Sequence, residues 1–228
     1  TLALNIAHRR NGVEHAAALG PDYDGAHVQR AVASARMAAD PSTHIVINEL
    51  TPEDTYRALI DGIPPRVFFS QKDNAKQNLK LSQIDVAPER TLEALAFIEH
   101  QLIPKMMVPA LLKRFEPYIR DFYLREHGTE LGPRLAAIPH EAIGSRLMLR
   151  RPGYHLDPHL DPKRVVITCL IYFARPGDSE AYGTSFYRIN GTPKIDRTST
   201  FYPESQGLKC DAVKMVPLAR TNWPVVHF

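Results

Sequence analysis

Cysteine is scarce in this chain, because only Cys169 and Cys210 occur among its 228 residues. Two cysteines are too few for a disulfide framework or for a zinc site made of thiolates. Cys169 lies within an apolar run, which is typical of a small core residue. Such sparse use of cysteine, together with an N-terminus that turns polar after four residues, predicts a reducing, cytoplasmic setting.

Long apolar runs and blocks of a single charge are also missing. The apolar run at 169–174 is far shorter than the roughly 20 residues that a membrane-spanning helix needs. The 25 acidic residues are interspersed among 28 Lys and Arg, and the formal net charge is +3. We therefore expect neither a membrane segment nor a nucleic-acid partner.

Helical signals dominate the first half of the chain and strand signals dominate the second. Apolar residues recur at helical spacing over 87–127, with breaks expected at Pro104, Pro109 and Pro117. After residue 139, short runs rich in β-branched and aromatic residues alternate with turn residues, which indicates a β-sandwich or barrel. Helices followed by strands predict the α+β class. We expect one compact unit, with a mainly helical part at 1–139 packed on a β core at 140–228.

A doubled His-x-Asp motif carries the candidate chemistry. The two pairs are His155 with Asp157 and His159 with Asp161. In an extended strand, residues i and i+2 project from the same face, so an imidazole and a carboxylate can bind one metal ion together. This donor set suits Fe(II) when a second histidine completes a facial triad. The tripeptide alone is a weak signal, and a polar loop that carries surface His and Asp residues is the more frequent explanation of it.

The order of motifs around this segment resembles a known superfamily. It runs from Gly153-Tyr154 through Pro158-His159-Leu160-Asp161 to the strand 168–173, and then to Gly183-Thr184. This order resembles the Fe(II)- and 2-oxoglutarate-dependent oxygenases of the prolyl-hydroxylase-like superfamily, over roughly residues 145–228. The resemblance implies a double-stranded β-helix, a jelly-roll or cupin-like barrel of two antiparallel sheets, with an N-terminal helical layer.

The resemblance also implies roles for individual residues. His159 and Asp161 correspond to two iron ligands, with His155 and Asp157 as the fallback pair. Tyr172 corresponds to the tyrosine whose hydroxyl meets the distal carboxylate of 2-oxoglutarate; a core tyrosine with a satisfied hydroxyl is the alternative. Gly183 and Thr184 are expected to shape the backbone beside the pocket rather than to bind the iron.

The family pattern further requires a second histidine and a basic residue that binds the cosubstrate carboxylate. We expect both to lie beyond residue 228, with His227 as the fallback for the third iron ligand. A domain that lacks the triad and does not catalyse a reaction is the third option.

The sequence therefore indicates three candidate functions. The leading one is an Fe(II)-, 2-oxoglutarate- and O2-dependent oxygenase acting on a small-molecule or peptide substrate. The second is a non-catalytic double-stranded β-helix that binds a ligand or a partner. The third, a zinc hydrolase using the doubled His-x-Asp, needs further nitrogen ligands near by, and His155 is the only close one.

Overall fold

The computed structural model describes residue 19, residues 25–70, 75–80, 87–143, 146–162, 164–175, 178–179, 181–195 and 198–216, and the backbone of 223–227. The helices of this part of the chain are α1 (Ala26–Ser34), α2 (Glu53–Asp61), α3 (Glu89–Phe97) and α4 (Val108–Ala136), with a π-helical segment (Ile98–Met107) between α3 and α4. No helix in these ranges has both the length and the apolar character needed to cross a membrane.

The main hydrophobic core forms where α1, the π-helical segment and α4 meet. Val28 and Val32 lie four residues apart on α1, so they occupy one face of that helix and are buried together. Phe115 on α4 is fully buried in the same core. The other members that are at most 2% exposed are Ile45, Ile47, Leu50, Leu59, Ala94, Phe97, Leu102 and Met107.

The predicted long helical stretch is present, but its breaks differ from those expected. Pro104 lies within the π-helical segment and Pro109 lies in the first turn of α4, and the helical backbone continues through both residues. The helix continues through Pro117, and the non-helical backbone occurs instead at Gly128, with φ 76° and ψ 179°. Glycine adopts a positive φ without a steric penalty, which explains why the chain turns there.

The described strands form one four-stranded and two two-stranded antiparallel sheets. The larger sheet has the order β1 (Met37–Ala38), β2 (His44–Val46), β8 (Trp223–His227), β5 (Thr168–Tyr172). The smaller sheets pair β3 (Lys76–Lys80) with β4 (Arg146–Arg150), and β6 (Thr184–Asn190) with β7 (Lys209–Val216). The larger sheet thus combines strands from both halves of the chain, because β2 pairs with β8.

The four-stranded sheet lies between the helical core and the β6–β7 hairpin. On β5, Cys169 and Ile171 pack against the helical core, whereas Tyr172 packs with Phe186 and Val216 of the hairpin. This alternation follows the two-residue period of a strand. The surface between this sheet and the hairpin contains the residues that the sequence motifs single out.

Candidate functional site

His159 and Asp161 flank a short β-bridge. Leu160, between them, exchanges two backbone hydrogen bonds of 2.9 Å with Phe201, so the backbone is paired with its neighbour at this point. An extended backbone is the conformation in which residues 159 and 161 leave the chain on the same side. The loop before β5 therefore has the local geometry that the His-x-Asp spacing requires.

The imidazole of His159 is oriented by the backbone. Its Nδ1 lies 2.9 Å from the carbonyl oxygen of Asp157, and its ring centroid lies 5.7 Å from that of Tyr202. Because a carbonyl only accepts hydrogen bonds, Nδ1 is the protonated nitrogen, and in the neutral ring the lone pair is then on Nε2. Nε2 has no hydrogen-bond partner among the described residues. This tautomer and this supporting contact are those of a histidine that ligates a metal through Nε2.

The carboxylate of Asp161 is held by a residue of β5. The hydroxyl of Thr168, the first residue of that strand, donates a short hydrogen bond to Oδ2 of Asp161. Both side chains are partly buried. One carboxylate oxygen is thereby fixed, as is usual for a carboxylate that ligates a metal.

Thr168 also marks the position of His227 in the sheet. His227 of β8 is the register partner of Thr168 on one side and of His44 on the other. Opposite Cα atoms in an antiparallel pair lie about 4.5–5.5 Å apart. The backbone of His227 is therefore adjacent to the residue that holds Asp161, while its side chain lies outside the described residues, as does any ligand beyond residue 228.

The earlier pair, His155 and Asp157, has a different environment. Nε2 of His155 lies 3.2 Å from Oδ1 of Asp157, and the side chains are 74% and 64% exposed. Their donor atoms contact each other in solvent, and Asp157 contributes its carbonyl oxygen to His159. The local geometry therefore favours the second pair over the fallback pair.

Tyr172 lies at the end of β5 and faces the hairpin. Its hydroxyl forms a short hydrogen bond with the hydroxyl of Thr184, the first residue of β6. Burial raises the pKa of the Tyr172 phenol, and the bond to Thr184 opposes this shift. The phenol of Tyr172 is therefore neutral and retains a proton to donate. Gly183 directly precedes β6, the strand that begins with Thr184.

Two further residues between the four-stranded sheet and the β6–β7 hairpin, His44 and Lys214, were not identified from the sequence. His44 is fully buried, its Nδ1 lies 2.7 Å from the carbonyl oxygen of Ser42, and its ring stacks on Phe186 at 4.4 Å. Its Nε2, 3.3 Å from Nζ of Lys214, accepts a hydrogen bond from that ammonium group. Lys214 is the register partner of Phe186 in the hairpin. No local pattern connects these residues, because they come from β2, β6 and β7.

The described residues contain no group of three or more His, Cys, Asp and Glu side chains that could hold a metal ion. Cys169 does not supply a thiolate, since burial raises its pKa to about 12. The described residues thus provide an oriented imidazole, a held carboxylate, a pair of hydroxyls and one ammonium group.

Comparison of the chain with models of protein families, with curated proteins and with solved structures found no match.

Proposed function

We propose that the protein is an Fe(II)- and 2-oxoglutarate-dependent oxygenase acting on a small-molecule or peptide substrate. The observation that carries the proposal is the state of the two donors His159 and Asp161. Nδ1 of His159 donates to the carbonyl oxygen of Asp157, which leaves Nε2 for a metal ion. Oδ2 of Asp161 accepts from the hydroxyl of Thr168, which leaves Oδ1 for the same ion. Supporting contacts of this kind commonly accompany ligands of catalytic metal ions.

The arrangement of strands supports a double-stranded β-helix as the underlying fold. β5 and β8 are neighbours in one antiparallel sheet, and the β6–β7 hairpin packs over that sheet. Two antiparallel sheets packed face to face, with helices behind one of them, is the layout that the sequence resemblance implies.

In this proposal the iron is held by Nε2 of His159, a carboxylate oxygen of Asp161 and a second histidine. That histidine is His227, whose backbone is opposite Thr168, or a residue beyond 228. When bound, the metal with 2-oxoglutarate and O2 supplies the oxidation, in which one oxygen atom enters the substrate as a hydroxyl group and the other enters succinate as CO2 leaves.

The residues of the chain position the cosubstrate and keep water away. Tyr172 and Thr184 each carry a hydroxyl that can donate to a carboxylate once their mutual bond opens. Lys214 supplies a positive charge on the same hairpin, next to His44. The apolar side chains of Val46, Phe186 and Val216 line the space between the sheets and exclude water from it.

Metal binding tests the proposal directly. We expect His159→Ala and Asp161→Ala to weaken Mn(II) binding at least about tenfold, since loss of a supporting residue alone commonly costs that much. His155→Ala is the matched control and should bind Mn(II) like the wild type. With Fe(II), 2-oxoglutarate and O2, the wild type should release succinate slowly even without a substrate, and His159→Ala should not.

The same measurement separates the alternatives. Loss of affinity in His155→Ala, with none in His159→Ala, would move the site to the earlier pair. An equal loss in His227→Ala would identify His227 as the third ligand. A wild-type protein that binds no metal and forms no succinate would contradict the proposal.

A non-catalytic double-stranded β-helix that binds a ligand or partner is the second candidate. The observation in its favour is that the hydroxyl of Tyr172 is already hydrogen-bonded to the hydroxyl of Thr184, as in a tyrosine with a structural role. This candidate predicts unchanged thermal stability on addition of Fe(II) or Mn(II), whereas a bound ion stabilises the folded state.

A further inference from the structure

Three arginines line a cavity of about 250 Å³ that is formed by different residues from the proposed oxygenase site. Arg66 follows α2, Arg90 lies in the first turn of α3, and Arg175 follows β5. Asp61 is the one carboxylate in the lining. The remaining lining residues are Ile63, Pro64, Pro65, Phe69, Pro88, Thr91 and Leu149.

The peptide group between Ala174 and Arg175 is held by two hydrogen bonds. The hydroxyl of Tyr56, a buried residue, donates a 2.8 Å hydrogen bond to the carbonyl oxygen of Ala174. The N–H of Arg175 donates a 2.7 Å hydrogen bond to Oδ2 of Asp178. The start of this side chain is thus held in place, and Arg175 is one of the lining residues.

The other two arginines have anchors of their own. Nε of Arg66 donates a 3.1 Å hydrogen bond to Oε1 of Gln77, whose side chain is fully buried. Arg90 is positioned by the close approach of α2 and α3 at Gly62. A Cβ at residue 62 would lie 2.9 Å from the carbonyl oxygen of Arg90 and 2.2 Å from Cβ of Ala94, so only glycine permits this packing.

Two of the three arginines have no partner for their charged groups within the described part of the chain. The guanidinium groups of Arg90 and Arg175 form no hydrogen bond or ion pair with any described residue. Like charges brought to one cavity repel each other, and an anion placed between them relieves the repulsion. A guanidinium group offers a planar pair of donors that matches a carboxylate or a phosphate.

We propose that this cavity binds a small organic anion whose carboxylate or phosphate group is held by Arg66, Arg90 and Arg175. The apolar wall formed by Ile63, Phe69 and Leu149 accommodates an uncharged body attached to that group. Because the guanidinium group of Arg66 and the backbones of Arg90 and Arg175 are held before the ligand arrives, ordering on binding is confined to the side chains of Arg90 and Arg175. The inference does not depend on the proposed oxygenase activity, since it uses none of the candidate metal donors.

Calorimetric titration of the full chain with phenyl phosphate, benzoate and inorganic phosphate tests the proposal. We expect phenyl phosphate or benzoate to bind more tightly than inorganic phosphate, because only the first two contact the apolar wall. The tighter of the two identifies the oxyanion. We expect Arg90→Ala and Arg175→Ala each to weaken that binding about tenfold, and Arg90→Lys to weaken it less, since hydrogen bonds to charged groups are worth about 1.5–3 kcal/mol.

Two controls make the test specific. Arg125→Ala removes an exposed arginine of α4 that is not in the lining, and it should bind like the wild type. His159→Ala should also bind like the wild type. Equal affinity in all the arginine variants, a loss confined to His159→Ala, or no binding of any of the three probes would overturn the proposal.

Discussion

His159 and Asp161 are positioned by two kinds of partner, a backbone carbonyl and a side-chain hydroxyl. The carbonyl of Asp157 belongs to the same loop and fixes the tautomer of His159. The hydroxyl of Thr168 belongs to β5 and couples the loop to the sheet. The spacing of the motif predicts the two donors, but it contains no information about Thr168, which becomes a neighbour only when the loop folds back on the strand.

Replacing Thr168 should therefore affect metal binding without removing a ligand. We expect Thr168→Val, which keeps the shape of the side chain and loses the donor, to weaken Mn(II) binding about tenfold, as loss of a supporting contact commonly does. Thr168→Ser keeps the hydroxyl and should bind like the wild type. Equal Mn(II) affinity in the valine and serine variants would show that the bond does not support the metal site.

Tyr172 gives a separate prediction for the cosubstrate. We expect Tyr172→Phe to weaken 2-oxoglutarate binding by about 1 kcal/mol, and somewhat more if the hydroxyl meets a charged carboxylate. Mn(II) affinity should not change, because the phenol is not a proposed ligand. Tyr187→Phe, on β6, is the control. Equal 2-oxoglutarate affinity in wild type and Tyr172→Phe, measured by calorimetry, would remove Tyr172 from the site.

Prediction from the sequence is most successful for individual helices and strands, because the patterns that indicate them involve residues close together in the chain. The short strands predicted after residue 139 include β4 and β6, because alternation of side chains is a property of consecutive residues. The polar strand β3 was not predicted, since Lys76–Lys80 has no apolar alternation and forms a strand only by pairing with β4.

The thiol of Cys169, on the side of β5 that packs against the helical core, gives a prediction about stability. Burial raises the pKa of Cys169 from its ordinary 9.0 to about 12. Between these values the unfolded chain loses the thiol proton while the folded chain retains it, so stability falls as the pH rises from about 9 to 12. The free energy of unfolding should fall by up to about 1.4 kcal/mol per pH unit from this group.

Denaturant unfolding across that pH range provides the measurement. Cys169→Ala should show a shallower fall than the wild type, whereas Cys210→Ala, at a residue outside the core clusters, should keep most of the steep fall. The raised pKa values of Tyr56 and Tyr172 add a decrease above pH 10 to all three proteins. Parallel curves for the wild type and Cys169→Ala would contradict the assignment.

At the scale of the whole molecule, the two halves of the chain are joined through β2. His44 pairs with His227 of β8, stacks on Phe186 of β6 and accepts a hydrogen bond from Lys214 of β7. The sequence division at residue 139 places His44 in the helical part, yet the residue lies between the two sheets. The four-stranded sheet therefore contains strands from both sides of the expected division at residue 139.

A double-mutant cycle measures this connection. We expect His44→Ala and Phe186→Ala to be coupled by about 0.5–1.5 kcal/mol in the free energy of unfolding, as stacked aromatic rings usually are. The control cycle combines His44→Ala with Phe122→Ala on α4, and its coupling should be near zero because sites without a shared contact are additive. A coupling as small as that of the control would mean that β2 and the hairpin are energetically independent.

The sequence by itself determined the long helical stretch, the run of short strands after residue 139 and the doubled His-x-Asp, because periodicity and motif spacing depend on neighbouring residues. Only the tertiary structure gave the two His-x-Asp pairs different surroundings: His155 and Asp157 contact each other in solvent, whereas Asp161 is held by Thr168. It also brought together residues that share no local pattern, His44 with Lys214 and the three arginines of the cavity. Such neighbours are set by how helices and sheets pack, and packing depends on the shape and volume of side chains from distant parts of the chain.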